Sequence, residues 1–298
     1  MSRTLSPSSN KPYGVARVAA AWAIARSTFY AIQARRLQPA GLPAKRGPKT
    51  LFTDQELTEQ IRRVIDQTPF FGEGHRKIWA RLRMEGIRSS KRRVLRLMRG
   101  AGLLAPARQP EAISANPHDG TIITDRPNQM WGTDATATLT TQEGQVTVFA
   151  AIDHCTAECV GIHAVKRATR FEALEPLRQG VREHFGRFGA GVATGLTIRH
   201  DHGSQYMSDD FQKEIRFLGM DASPAFVRQP EGNGCIERFF RTLKEQLLWV
   251  RRFNDLEGLR QALVAFRDTY NRHWLIERLG FKPPRQVRQE ILAFGAAA

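Results

Sequence analysis

The spacing of apolar positions changes character near residue 130. Before it, apolar residues recur every three to four positions, the period of an amphipathic helix. Val15, Val18, Ala19 and Trp22 form one such face, Ala23-Ile24-Ala25 a turn, and Ser27 the cap of a second helix with Phe29 and Ile32 inward. Thr53 begins a longer helix carrying Leu57, Ile61, Val64 and Ile65, with Glu56 placed to complete a capping box. Phe70-Phe71-Gly72 ends it. A helix with Ile78, Trp79 and Leu82 follows, then one opened by Ser89 or Ser90 with Val94, Leu97 and Met98 inward.

From Met130 the alternation is that of strands: Met130–Thr138, Val146–Asp153 after a turn at Glu143-Gly144, and Cys159–Val165. Arg170–Phe185 is a helix, Thr197–His200 a short strand, Ser208–Leu218 a helix and Met220–Ser223 a strand. A loop over Pro224–Asn233 leads into a long helix from Gly234, with an apolar stripe of Ile236, Phe240, Leu243 and Leu247. Leu256–Tyr270 is a last helix before a Pro-rich tail. Strands followed by alternating helices and strands predict a mixed α/β domain. The expected organisation is a disordered polar tail (1–14), a helix-turn-helix-like unit with a Pro/Gly-rich basic linker (15–50), a second helical unit (51–104), a linker (105–128), the α/β core (129–250), and the C-terminal helix and tail (251–298).

Charge gives this division a function. The net charge is +16, and residues 1–110 hold 22 Lys/Arg against 6 Asp/Glu, while residues 111–298 hold 23 of each. A basic segment joined to a neutral domain is a handle for a polyanion, above all double-stranded DNA. Lys91, Arg92, Arg93, Arg96 and Arg99 crowd one short helix and repel one another unless phosphates neutralise them. That makes it the expected recognition helix. Arg35 and Arg36 end the second N-terminal helix, whose helix-turn-helix shape would place it in a major groove. No apolar run reaches the 18 residues of a membrane span, and the first residues lack the apolar core of a secretory signal, so a cytoplasmic protein is expected.

Three cysteines, Cys155, Cys159 and Cys235, are too few and too irregular for a disulfide framework. His154, Cys155, Cys159 and His163 lie in strand-like sequence without a C-x2-C loop and read as strand residues rather than zinc ligands. Three acids stand out instead. Asp134 lies inside the first strand, Asp201 just past a short apolar strand, and Glu237 beside the apolar stripe of the long helix. Strand ends and a nearby helix can bring such residues into one crevice. Clustered carboxylates raise each other's proton affinity unless cations lie between them, and oxygen ligands suit Mg2+ or Mn2+. Lys244 follows Glu237 by seven residues, about two turns, on nearly the same face; Arg241 lies between them.

With these residues in view, the chain resembles the DDE transposases of bacterial insertion sequences, OrfB-type, within the retroviral-integrase superfamily. The matching pieces are Trp131-Gly132-Thr133-Asp134, Ala151-Ile152-Asp153, His200-Asp201-His202-Gly203-Ser204-Gln205-Tyr206, Gly232-Asn233-Gly234 with Cys235-Ile236-Glu237-Arg238-Phe239-Phe240, Lys244-Glu245 and Tyr270-Asn271-Arg272. The likeness spans roughly residues 53–288. It implies an RNase H-like core behind helix-turn-helix-type DNA-binding units. It also implies two Mg2+ (or Mn2+) ions held by Asp134, Asp201 and Glu237, and cleavage at transposon ends followed by strand transfer into target DNA. Lys244 would be a DNA-contacting cation. At least a dimer is implied, because two DNA ends are joined, and an upstream reading-frame protein is a further implied partner. Where many relatives carry Asp-Asn before the helix Glu, this chain has Gly234-Cys235-Ile236. Two other readings use the same residues: a nuclease of this fold that cuts without joining, and a DNA-binding regulator that has lost catalysis. The basic N-terminal third weighs against the first, and the complete set of acids with Lys244 against the second.

Overall fold

The computed structural model describes residues 3–37, 51–106, 122–224 and 233–296. The expected linkers beyond Leu37 and across 107–121, and most of the loop before Gly234, lie outside the described residues. The chain divides into two compact units, Met1–Leu51 and Phe52–Ala298.

In the first unit, residues read from composition as a polar tail carry a turn closed by a Leu5–Pro12 bridge. Helices α1 (Gly14–Ala21) and α2 (Arg26–Leu37) follow, separated by Ala23 in a left-handed conformation. The expected inward face is not formed. Ala19 is the sole buried apolar residue among the described residues of this unit, whereas Trp22 is 63% and Ile32 48% exposed and Phe29 is half-buried. Two short helices have too little surface to close a core without a third element. Arg35 and Arg36 are exposed in the last turn of α2.

The second unit begins with α3 (Asp54–Gln67), α4 (His75–Met84) and α5 (Lys91–Gly100). The capping box forms as its sequence dictates: Thr53 accepts from the Glu56 N–H and Glu56 accepts from the Thr53 N–H. Ser90 caps α5 through the Arg93 N–H. Leu57, Ile61, Val64, Ile78, Leu82, Val94, Leu97 and Met98 close a three-helix core.

The α/β core is one five-stranded sheet in the order β3-β2-β1-β4-β5. Its strands are β1 (Met130–Thr140), β2 (Gly144–Asp153), β3 (Cys159–Val165), β4 (Thr197–His200) and β5 (Asp221–Pro224). β1, β2 and β3 form an antiparallel meander, while β4 and β5 run parallel to β1. Trp131, Phe149 and Ile198 pack on one face beneath α6 (Arg170–Phe185) and α8 (Asp209–Phe217). Val148, Ala150 and Ile152 pack on the other against α9 (Gly234–Leu243) and α10 (Leu256–His273). The helix expected over Ser208–Leu218 is preceded by a separate turn, α7 (Ser204–Met207), because Ser208 leaves the helical conformation to cap α8.

Two expected boundaries are corrected. The C-terminal segment belongs to the core: α10 covers the sheet, and Asn271 bonds both the N–H and the carbonyl of Cys159 on edge strand β3, each at 2.9 Å. The Pro-rich tail is a helix, α11 (Pro284–Ala296), with proline in its first turn, where a missing N–H costs nothing. Arg288 anchors it against Glu158, Asp153 and Asn128. The helical unit is likewise joined to the α/β core. Phe70 lies in the core cluster beneath α9 and α10, and its ring meets Trp274 edge-on at 4.8 Å. Among the described residues no helix is long and apolar enough to cross a membrane.

Candidate active site and nucleic-acid interface

β1 and β4 run parallel, with Met130, Trp131 and Gly132 beside Thr197, Ile198 and Arg199. The ladder ends at Gly132 and Arg199; Asp134 lies two residues further along β1, and Asp201 two residues further along the chain, one past the end of β4. Asp134 faces the same side of the sheet as its cross-strand partner Ala150, the side covered by α9. Asp201 is exposed at the end of β4, where its carboxylate accepts the Gly203 N–H at 2.8 Å and shapes the turn into α7.

Glu237 is carried by α9, whose position depends on a single notch in β1. Asn233, buried at the start of α9, donates from its side chain to the Thr133 carbonyl at 3.3 Å. The space for that side chain exists because residue 132 is glycine: a Cβ there would lie 2.7 Å from both Asn233 Oδ1 and His154 Nε2. One contact thus ties the residue before Asp134 to the residue one helical turn before Glu237. Glu237 is exposed on α9, and Lys244 is half-buried at its end.

The electrostatics agree with this proximity. Asp134 is pushed up to about 6, first by burial and then by the charges of Asp201 and Glu237, with the Ala135 N–H and Lys244 opposing. Among the described residues no group of three His, Cys, Asp or Glu side chains stands ready to hold a metal ion. The donor chemistry fits one nonetheless. The carboxylates are hard oxygen ligands whose mutual repulsion, visible in the raised Asp134, a divalent cation would relieve.

The remaining motif residues have structural work. The Asp153 carboxylate accepts from the Asn128 N–H, the Thr156 N–H and the Thr156 hydroxyl, and meets Arg288. Tyr270 donates to the Ala157 carbonyl. His163 pairs with Glu172 at 2.6 Å, His154 Nδ1 meets the Ile122 carbonyl at 2.8 Å, and Cys159 is wholly buried, donating to the Gly161 carbonyl.

The expected recognition helix is less crowded with unpaired charge than its sequence implies. Arg93 and Arg96 both bond Asp54, at 2.9 and 2.7 Å, and Lys91 lies 3.8 Å from Glu277 and over the Trp79 and Phe281 rings. Their repulsion is relieved within the protein, by one acid 39 and 42 residues before Arg93 and Arg96 and by another near the C-terminus. Arg92 and Arg99 are exposed on the same helix. Arg241 is exposed on α9. Sequence reading assigned no role to Gly132 or Asn233, although an asparagine ahead of a helix is an ordinary start signal.

Comparison with known proteins follows this geometry. Residues 53–111 match an HTH-like domain, and residues 124–230 and 218–284 match models of the integrase core domain. The helix-turn-helix match therefore falls on α3–α5 and not on residues 15–36. The transposase for insertion sequence element IS629 of Shigella sonnei is 28% identical over 94% of this chain and 93% of its own length. Transposase InsD for insertion element IS2D of Escherichia coli is 26% identical over 80% and 79%. The catalytic core domain of BIV integrase aligns with a TM-score of 0.44 at 16% identity, over 57% of this chain and 99% of that one. The chain thus matches an HTH-like domain ahead of an integrase core domain, and it is similar to transposases of insertion sequences over most of its length.

Proposed function

We propose that the chain cuts the ends of an insertion sequence and joins them to target DNA at one site, with Asp134, Asp201 and Glu237 as metal ligands. The observation that carries this is the convergence just described. Asp201 follows the end of β4, the neighbour of β1, and the Asn233 bond seats α9 on β1; the charges of Asp201 and Glu237 both raise the Asp134 carboxyl, which supports this reading. Two Mg2+ or Mn2+ ions bound there would activate the attacking oxygen and stabilise the leaving one in an in-line phosphoryl displacement. The protein's own part is positioning. β1 carries Asp134, the turn after β4 carries Asp201, α9 supplies Glu237, and Lys244 and Arg241 would meet the phosphates of the bound strand. Double-stranded DNA is the substrate at both ends of the reaction. Joining two ends calls for at least two copies of the chain, and an upstream reading-frame protein is a further partner on this reading. The transposase relatives favour joining over cutting alone.

The test is a Mg2+-dependent cleavage and strand-transfer assay on DNA bearing the element's own ends. Asp134→Ala, Asp201→Ala and Glu237→Ala are each expected to abolish both steps and leave DNA binding within about twofold, because most phosphate contacts lie elsewhere. Strand transfer surviving in any one of the three variants removes that residue from the site. Calorimetric titration of Mg2+ or Mn2+ into the DNA-free chain gives a reading independent of turnover.

A further inference from the structure

α9 does not end at Leu243. It continues through a π-helical turn, Lys244–Leu248, in which the Trp249 N–H bonds the Lys244 carbonyl at 2.9 Å. Such turns are rare and recur at functional positions. Here the turn sets one direction. Five α-helical steps of about 100° would carry residue 249 roughly 140° around the axis from Lys244, whereas the five-residue bond lays Trp249 about one turn above it. Glu237, Arg241, Lys244 and Trp249 then follow one side of the helix, and Trp249 is 71% exposed. Val250 beside it is 57% exposed, and adjoining exposed apolar residues mark interaction surfaces where single ones do not. Gln246, three residues earlier, holds the backbone of Phe71 by two bonds of 2.8 Å, and the Phe71 ring is 68% exposed on that docked loop.

We infer that Trp249 is a stacking platform for an unpaired nucleobase of the DNA strand that passes the carboxylates. This inference rests on the reading that the chain acts on DNA. Residues 238–252 contain five cations, Arg238, Arg241, Lys244, Arg251 and Arg252, against one acid, Glu245, which suits a phosphate backbone and disfavours a second copy of the same surface. An exposed indole among cations is the arrangement that holds single-stranded nucleic acid, through the π-face every base possesses. In a duplex those faces are already stacked, so the occupant is a base freed from its partner. Twelve residues of helix at about 1.5 Å each place Trp249 within roughly 18 Å of Glu237 along the axis, about five base-pair rises.

The test uses the full chain without metal. It compares a blunt duplex with the same duplex carrying a five-nucleotide single-stranded tail, with 2-aminopurine in the tail. Trp249→Ala is expected to weaken binding of the tailed duplex about tenfold, in line with the measured worth of one base–aromatic stack. It should change the blunt duplex less than twofold and abolish the quenching of 2-aminopurine, while Trp249→Phe recovers most of both. Equal losses on the two duplexes, or no loss, overturn the platform. So does a change in sedimentation of the DNA-free Trp249→Ala chain, which would make the surface a protein contact. Tail preference in a wild-type chain that never cleaves DNA leaves the platform standing and defeats the transposition reading. Cleavage without tail preference does the reverse.

Discussion

A carboxylate on a central strand, facing two other acids, is held in place against its own preference. Asp134 is raised from about 3.8 to about 6. Its neutral form is favoured in the fold, so below pH 4 it costs nothing; the penalty grows as pH rises through 4 to 6 and is constant above. Two units correspond to at most about 3 kcal/mol. Asp134→Asn should therefore raise the metal-free melting temperature at pH 7.5 by several degrees, at about 2–4 °C per kcal/mol for a unit of this size. The gain should vanish near pH 4. A melting temperature unchanged at pH 7.5 would show that solvent, not its neighbours, sets this carboxyl. Charge on α5 yields a second prediction. Arg93 and Arg96 are shared with Asp54, so Arg92→Ala with Arg99→Ala should flatten the salt dependence of DNA binding by about one unit per lost phosphate contact. Arg93→Ala with Arg96→Ala should flatten it less, and the same titration on both double variants decides. The placement of the three acids was legible in the sequence: Asp134 on a strand, Asp201 just past one and Glu237 on a helix. The Asp54 pairings were not, since nothing local joins residues some forty positions apart.

Elements were read well wherever periodicity governs. The spans of β3, α6 and β4 agree residue for residue with the alternation that predicted them. Agreement failed where tertiary contacts overrule local signals. The segment with adjacent prolines at 283 and 284 was expected to be a Pro-rich tail, yet the second proline opens α11. Nothing in Lys244–Leu248 marks a π-turn, because every residue there suits an ordinary helix. The seat of α9 was hidden for another reason: a glycine in a strand is ambiguous until its neighbour is known. Gly132→Ala should push Asn233 and His154 from their places, costing about 1–3 kcal/mol and lowering strand transfer more than DNA binding. Asn233→Ala in the same chain should recover part of the stability without the activity, as a double-mutant cycle by chemical denaturation would reveal. At α11, Arg288→Ala leaves buried Asp153 without its cation and Glu158 with only Arg285, 3.8 Å away, and should cost about 3–5 kcal/mol. Amide exchange along residues 284–296 would register the undocking, and protection equal to wild type would contradict it.

At the scale of the whole chain, the sequence placed a boundary near residue 105 that the fold does not respect. Deleting residues 1–51 should leave the melting temperature nearly unchanged while removing nine cations and no acid. Deleting residues 1–104 takes Phe70 out of the core and the partners of Trp274, Phe281 and Glu277 with it, and should lower the melting temperature sharply. Scanning calorimetry on the two truncations settles where the cut falls. The seam bears on DNA as a matter of measurement. Phe70 in the core, Gln246 on the Phe71 backbone and Glu277 on Arg76 and Lys91 hold α5 at a set distance from the carboxylates. On the proposed function, α5 reading bases and the carboxylates breaking a phosphodiester bond would form the two ends of a ruler. One base pair inserted between the bound sequence and the terminus moves the scissile phosphate about 3.4 Å and turns it about 35° around the duplex. The nick should stay at its fixed count from the recognised bases and fall one nucleotide inside the element's true end.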